Sequence, residues 1–122
     1  MTNNDFVEFV DSYIKCALWS TNDESDEQGG EPLDKNYDRD DLATGTLQAM
    51  GWDCKTFLDQ CKDMIDGNYS QAGHDFWLTR NGHGAGFWDG DWGADGIVLT
   101  EYCKKFNEVF VYVGDDGKIY FE

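Results

Sequence analysis

The sequence has one proline, two histidines and only nine lysines and arginines in 122 residues, against 25 aspartates and glutamates. Such a chain lacks what direct binding of nucleic acid requires, lysine and arginine clustered to neutralise phosphates, and for the same reason it is unsuited to an anionic membrane surface. Cysteine is sparse: Cys16, Cys54, Cys61 and Cys103 form neither a CxxC pair nor the close spacings of a disulfide-stapled miniprotein. They are expected as buried thiols in a reducing cytoplasm rather than as a zinc site. No apolar run approaches the length that spans a bilayer, and the polar, acidic N-terminus lacks a signal-peptide pattern. Nor is there an HExxH, a phosphate-cradling glycine loop or a nucleophile elbow, so no motif implies a cofactor or names a reaction.

What is present is acid and aromatic ring. The formal net charge is −16 and the isoelectric point near 4.1, a state that costs self-repulsion in any compact form. Hydrophobic residues at 40% and aromatics at 16% argue against disorder despite that charge. A chain of this length fits one domain that buries roughly two thirds of its unfolded surface. The acid is uneven: residues 1–66 carry a net −11 and residues 67–122 a net −5. The complementary partner is therefore basic.

In residues 5–19, Phe6, Val10, Tyr13, Ile14, Ala17 and Leu18 fall on one side at helical spacing, with Asp5 and Glu8 as a capping box. Residues 20–41 follow as a long loop with nine acids, Lys35, Arg39, the proline and a Gly-Gly pair. Loops this long inside a domain are uncommon unless they have a task, and here length and charge coincide. Residues 42–66 repeat Leu47, Met50, Cys54, Phe57, Leu58, Cys61, Met64 and Ile65 at three and four, a second helix that Gly45 or Gly51 would delay or bend. Its outward acids are Asp59, Asp63 and Asp66.

The densest stretch is 72–96, which holds both histidines, three of the five tryptophans and half of the fourteen glycines. Residues 75–80 alternate with β-favouring types, and Asn81-Gly82 is a strong hairpin signal with 84–89 as the returning strand, although a helix over 70–79 competes. The run 89–96 places Asp89, Asp91 and Asp95 ahead of Glu101. That spacing departs from the calcium loop of an EF-hand, so a turn with Asx-type hydrogen bonds is the better reading. Residues 97–107 predict a third helix with Ile97, Val98, Tyr102 and Cys103 or Phe106 inward. Residues 109–114 and 118–122 predict a closing hairpin across Asp115-Asp116-Gly117. The expected fold is one α+β domain over residues 1–122, ordered α-α-β-β-α-β-β, an antiparallel sheet with helices on one face.

The run AGHDFWLTRNGHGAGFWD, with YVGDDGKIY near the end and CALW in the first helix, resembles a family of small, acidic, phage-encoded proteins. The resemblance implies a phage product acting in the cytoplasm of a bacterial host, and it assigns no catalytic or binding residues. By size and charge alone the chain is also similar to the DNA-mimic inhibitors that phages direct against restriction, CRISPR and repair proteins.

The leading expectation is thus an inhibitor, not an enzyme, that presents carboxylates to the basic groove of a host protein that binds nucleic acid. The residues expected at that contact are Asp23, Glu24, Asp26, Glu27, Glu31, Asp34, Tyr37, Asp38, Asp40 and Asp41 of the loop, with Asp59 and Asp63 of the second helix. It acts as a monomer or a homodimer. The rival expectation is a small hydrolase or metal protein built on His74, Asp75, His83 and Asp89, since a histidine beside a carboxylate is the minimum for acid-base work. A third is a phage structural or scaffold component.

Overall fold

Helix α1 (Asn3–Ser20) starts where Thr2 caps it: the Thr2 hydroxyl accepts from the Asp5 amide and the Asp5 carboxylate accepts from the Thr2 amide. The computed structural model describes residues 2–23, 30–65, 67–82, 86–87 and 92–122, and of Asp23 the backbone alone. The capping box expected on Asp5 and Glu8 is corrected to Thr2 and Asp5, because the Thr2 side chain already satisfies an orphan amide one turn earlier. The apolar stripe is as expected: Tyr13, Ile14, Ala17 and Leu18 are buried, joined by Phe9, and Phe6 packs on the edge of the same core.

Helix α2 (Thr44–Ile65) buries Met50, Cys54, Phe57, Leu58, Cys61 and Ile65. Its break falls at Cys61 (φ −135°, ψ 15°), not at Gly45 or Gly51, and the Cys61 thiol donates to the Phe57 carbonyl at 3.0 Å. Residues 75–80 are not a strand. They end helix α3 (Tyr69–Arg80), whose residues 75–80 are all buried. A helix covered on nearly every side has no polar face, so no 3.6-residue period shows and the local alternation misleads. Asn81-Gly82 ends this helix, with Gly82 at φ 72°, and makes no hairpin turn. Helix α4 (Asp95–Cys103) is earlier and shorter than expected: Cys103 is buried and Tyr102 packs on the core as expected, but Gly96 and Leu99 complete the inward face while Ile97 and Val98 are exposed. A Cβ on Gly96 would stand 2.4 Å from the Phe87 carbonyl oxygen, a close approach that fixes which face of α4 meets the core.

Strands are few among the described residues. A short ribbon pairs β1 (Asn22–Asp23) with β2 (Glu31–Pro32), and the closing hairpin pairs β3 (Val111–Val113) with β4 (Ile119–Phe121), both antiparallel. The class is α+β. The single sheet with helices on one face is replaced, among the described residues, by these two separate ribbons, because the segment expected to supply the middle strands is α3 and part of the expected return strand lies outside the described residues.

The core sits where α1, α2 and α3 meet. The Phe57 and Phe76 rings stack 4.3 Å apart at 13°, and Phe9, Tyr13 and Phe87 extend the stack. The α1 and α3 backbones come so close at Gly73 that a Cβ there would lie 2.2 Å from the Phe9 carbonyl oxygen. Arg80, whose side chain is 3% exposed, closes this core from the side. Its guanidinium donates to Asp53 at 2.7 Å, to the Tyr13 hydroxyl at 3.0 Å and to the Asn107 carbonyl at 2.7 Å, and it lies over the Phe76 and Phe106 rings. One buried cation therefore ties α1, α2, α3 and the approach to the closing hairpin. Burial pushes the Tyr13 hydroxyl well above the usual phenol range, so it stays protonated.

Candidate functional site: an acidic strap over helix α1

Residues 31–41 form a strap along the face of α1 that α3 leaves uncovered. The strap is anchored by Leu33, 1% exposed, whose amide donates to the Thr21 carbonyl at 2.8 Å. Two single 3-10 turns, Leu33–Lys35 and Arg39–Asp41, give it shape. The second is held by its own acids: Asp38 accepts from the Asp40 amide at 2.9 Å, and Asp41 accepts from the Asp38 amide at 2.8 Å. At its far end Leu42 bridges Ile119 and the Ala43 amide donates to the Ile119 carbonyl at 3.0 Å, so the strap also meets the closing hairpin. Arg39 pairs with Asp11 of α1, a clamp across the strap.

Between strap and helix lies a cleft of about 630 Å³. Its floor is apolar, from Ile14, Cys16 and Leu18 of α1, and Trp19, Tyr37 and His74 line it with aromatic rings. Trp19 is 55% exposed, and its ring centroid stands 6.0 Å from that of His74. Asp11, Asp34 and Asp38 bring carboxylates to the cleft, and Lys15 and Arg39 bring cations.

The structure therefore brings Asp34, Tyr37 and Asp38 together at one opening, with Glu31, Asp40 and Asp41 along the same strap. Their duties differ. Asp38 and Asp41 shape the turn, Glu31 is paired with Lys35 at 2.8 Å, and Asp34 and Asp40 are exposed. Asp59 and Asp63 are not gathered with them: they are exposed on α2, where Asp59 stands fifteen residues past Thr44, ~22 Å along a helical rise, and is paired with Lys55 at 2.9 Å. The helix thus carries these two acids away from the loop that leads into it. Glu24, Asp26 and Glu27, and the side chain of Asp23, lie outside the described residues.

The rival constellation is half visible, His83 and Asp89 being outside the described residues. His74 Nδ1 meets Asp75 at 3.3 Å, but the Asp75 carboxylate, 2% exposed, also accepts from Trp92 Nε1 at 2.7 Å and Gln71 Nε2 at 3.1 Å. These bonds tie α3 to the segment before α4 and already engage the carboxylate that His74 meets. The neighbouring Cys16 thiol is pushed up to about 12 by burial and by the Asp75 charge, so at neutral pH it is a thiol and a poor nucleophile. Burial likewise pushes the Cys61 thiol up to about 12, and Cys54 and Cys103 also upward. All four cysteines are buried and unbridged, and no group of three or more potential metal ligands occurs among the described residues.

Sequence reasoning missed Trp19, Lys15 and His74 as parts of one cleft. A signal existed for Trp19, a large ring on a helix but off its apolar stripe. No family model, no curated protein and no solved structure matches the chain. No helix among the described residues is long and apolar enough to cross a membrane.

Proposed function

We propose that the protein is a phage-encoded inhibitor that docks its acidic strap onto the basic, nucleic-acid-binding groove of a host defence protein. The observation that carries this reading is a set of exposed carboxylates, Asp34, Asp38 and Asp40, held on a clamped strap beside a half-exposed tryptophan, on a chain of net charge −16. Charge of that size steers encounter with a cationic groove, while the fixed strap and the ring supply contacts that screening beyond about 8 Å does not erase. The interaction is stoichiometric and turns over no substrate, and it takes place in the bacterial cytoplasm.

The test has two parts. Host proteins captured on the immobilised chain should elute with rising salt, and each genuine partner should lose its DNA or RNA binding when one equivalent of the chain is added. A partner that keeps its nucleic acid at saturating chain would overturn the mimicry. The contact of His74 with Asp75 favours one other reading, an acid-base or metal site; stoichiometric zinc or calcium binding in a calorimetric titration, abolished in His74→Ala, would establish it instead.

A further inference from the structure

We infer that the cleft between α1 and the strap is the seat of a single arginine side chain from that partner. The inference rests on the docking reading for the partner's charge, and on the cleft itself for the residue. The cleft, about 630 Å³, has room for a long side chain together with its flanking backbone, and it opens on an apolar floor with Trp19 left 55% exposed. An exposed tryptophan beside carboxylates matches the guanidinium group on three counts. The planar cation stacks on the indole face, its hydrophobic stem lies over Ile14 and Leu18, and its forked donors meet Asp34 and Asp38. Lysine, a point charge without a planar fork, would use less of that geometry.

The cations already at the rim do not reverse the sign. Arg39 is engaged by Asp11, leaving Lys15 against Asp34 and Asp38. An anion entering the cleft would have to approach through the field of a chain of net charge −16. Arginine anchors buried in aromatic pockets are also where interfaces concentrate their binding energy.

The indole Nε1–H resonance of Trp19, assigned by its loss in Trp19→Phe, reads occupancy directly. The probe is N-acetyl-arginine amide, compared with N-acetyl-citrulline amide, its uncharged isostere, and with inorganic phosphate. The arginine probe should shift that resonance saturably, citrulline at least tenfold more weakly, and Asp34→Asn should weaken the arginine probe severalfold without moving the rest of the spectrum. Equal binding of citrulline, a Trp19 shift produced by phosphate instead, or arginine shifts that bypass Trp19 would overturn the assignment. The two readings also part company. Arginine seated in the cleft without salt-sensitive capture of a host protein would leave the site and remove the mimicry. Capture that blocks nucleic acid yet survives Trp19→Ala at full affinity would leave the mimicry and remove the site.

Discussion

Helix α1 has two flanks that fold by opposite rules. Against α3 it is closed: the backbones touch at Gly73, aromatic rings stack, and Arg80 satisfies Tyr13, Asp53 and Asn107 at once. Against the strap it is open: Leu33 and the Arg39–Asp11 clamp hold the two together, yet a cleft remains and Trp19 stays half in water. The difference separates the flank that holds the fold together from the flank to which the proposed docking is assigned. Among the described residues, the buried polar side chains of the closed flank all have partners, whereas the open flank leaves a cleft and half of Trp19 uncovered by those residues.

The sharpest way to break the comparison is at Arg80. Replacing it with methionine removes a buried cation while Asp53 stays at the core edge, and the expected loss is about 3–5 kcal/mol in a urea titration. A loss below about 1 kcal/mol would mean the closed flank does not depend on this hub. Next is Gly73→Ala, expected to cost about 1–3 kcal/mol because α1 and α3 must separate, whereas Gly51→Ala, with nothing within 4 Å of the new Cβ, should stabilise by about 0.5–1 kcal/mol. Equal effects at the two glycines would contradict the close approach.

Alkali should also act on the fold, through its buried thiols. A free thiol has a pKa near 8.5, and Cys16 and Cys61 are held up to about 12 when folded, so between those values the unfolded chain binds fewer protons than the folded one. Stability from these thiols is therefore fully present below about pH 8.5 and is lost as pH rises toward 12. Thermal unfolding followed from pH 7 to 10 should show the midpoint falling only above that lower value, and the fall should shrink in Cys61→Ala after allowance for its lost packing. The smallest effect on stability belongs to the open flank: Asp34→Asn with Asp40→Asn should change unfolding by no more than about 0.5 kcal/mol, since both side chains are exposed.

The two flanks were not equally legible in the sequence. The stripe of α1, the repeat of α2 and the closing hairpin follow from periodicity and turn chemistry, and their residues are where those patterns put them. Helix α3 was only a competing reading because burial on nearly every side, with Arg80 and Asp75 inside, shrinks the polar face by which a helix is recognised. The acids of the strap were visible as composition. Their division into turn-forming Asp38 and Asp41 and outward Asp34 and Asp40 was not, since it depends on which carboxylate reaches a backbone amide. Nor did spacing reveal that Trp19 and His74 share a cleft, because they lie 55 positions apart in the chain and only the approach of α3 to α1 brings them together.

The most direct measurement is the association rate of the chain with a captured host partner at graded salt, for the native sequence and for the Asp34→Asn, Asp40→Asn double variant. An acidic strap that docks on a basic groove predicts fast association at low salt, falling steeply as salt rises, with a shallower slope and slower association for the variant. Identical rates and identical salt slopes for the two proteins would contradict it.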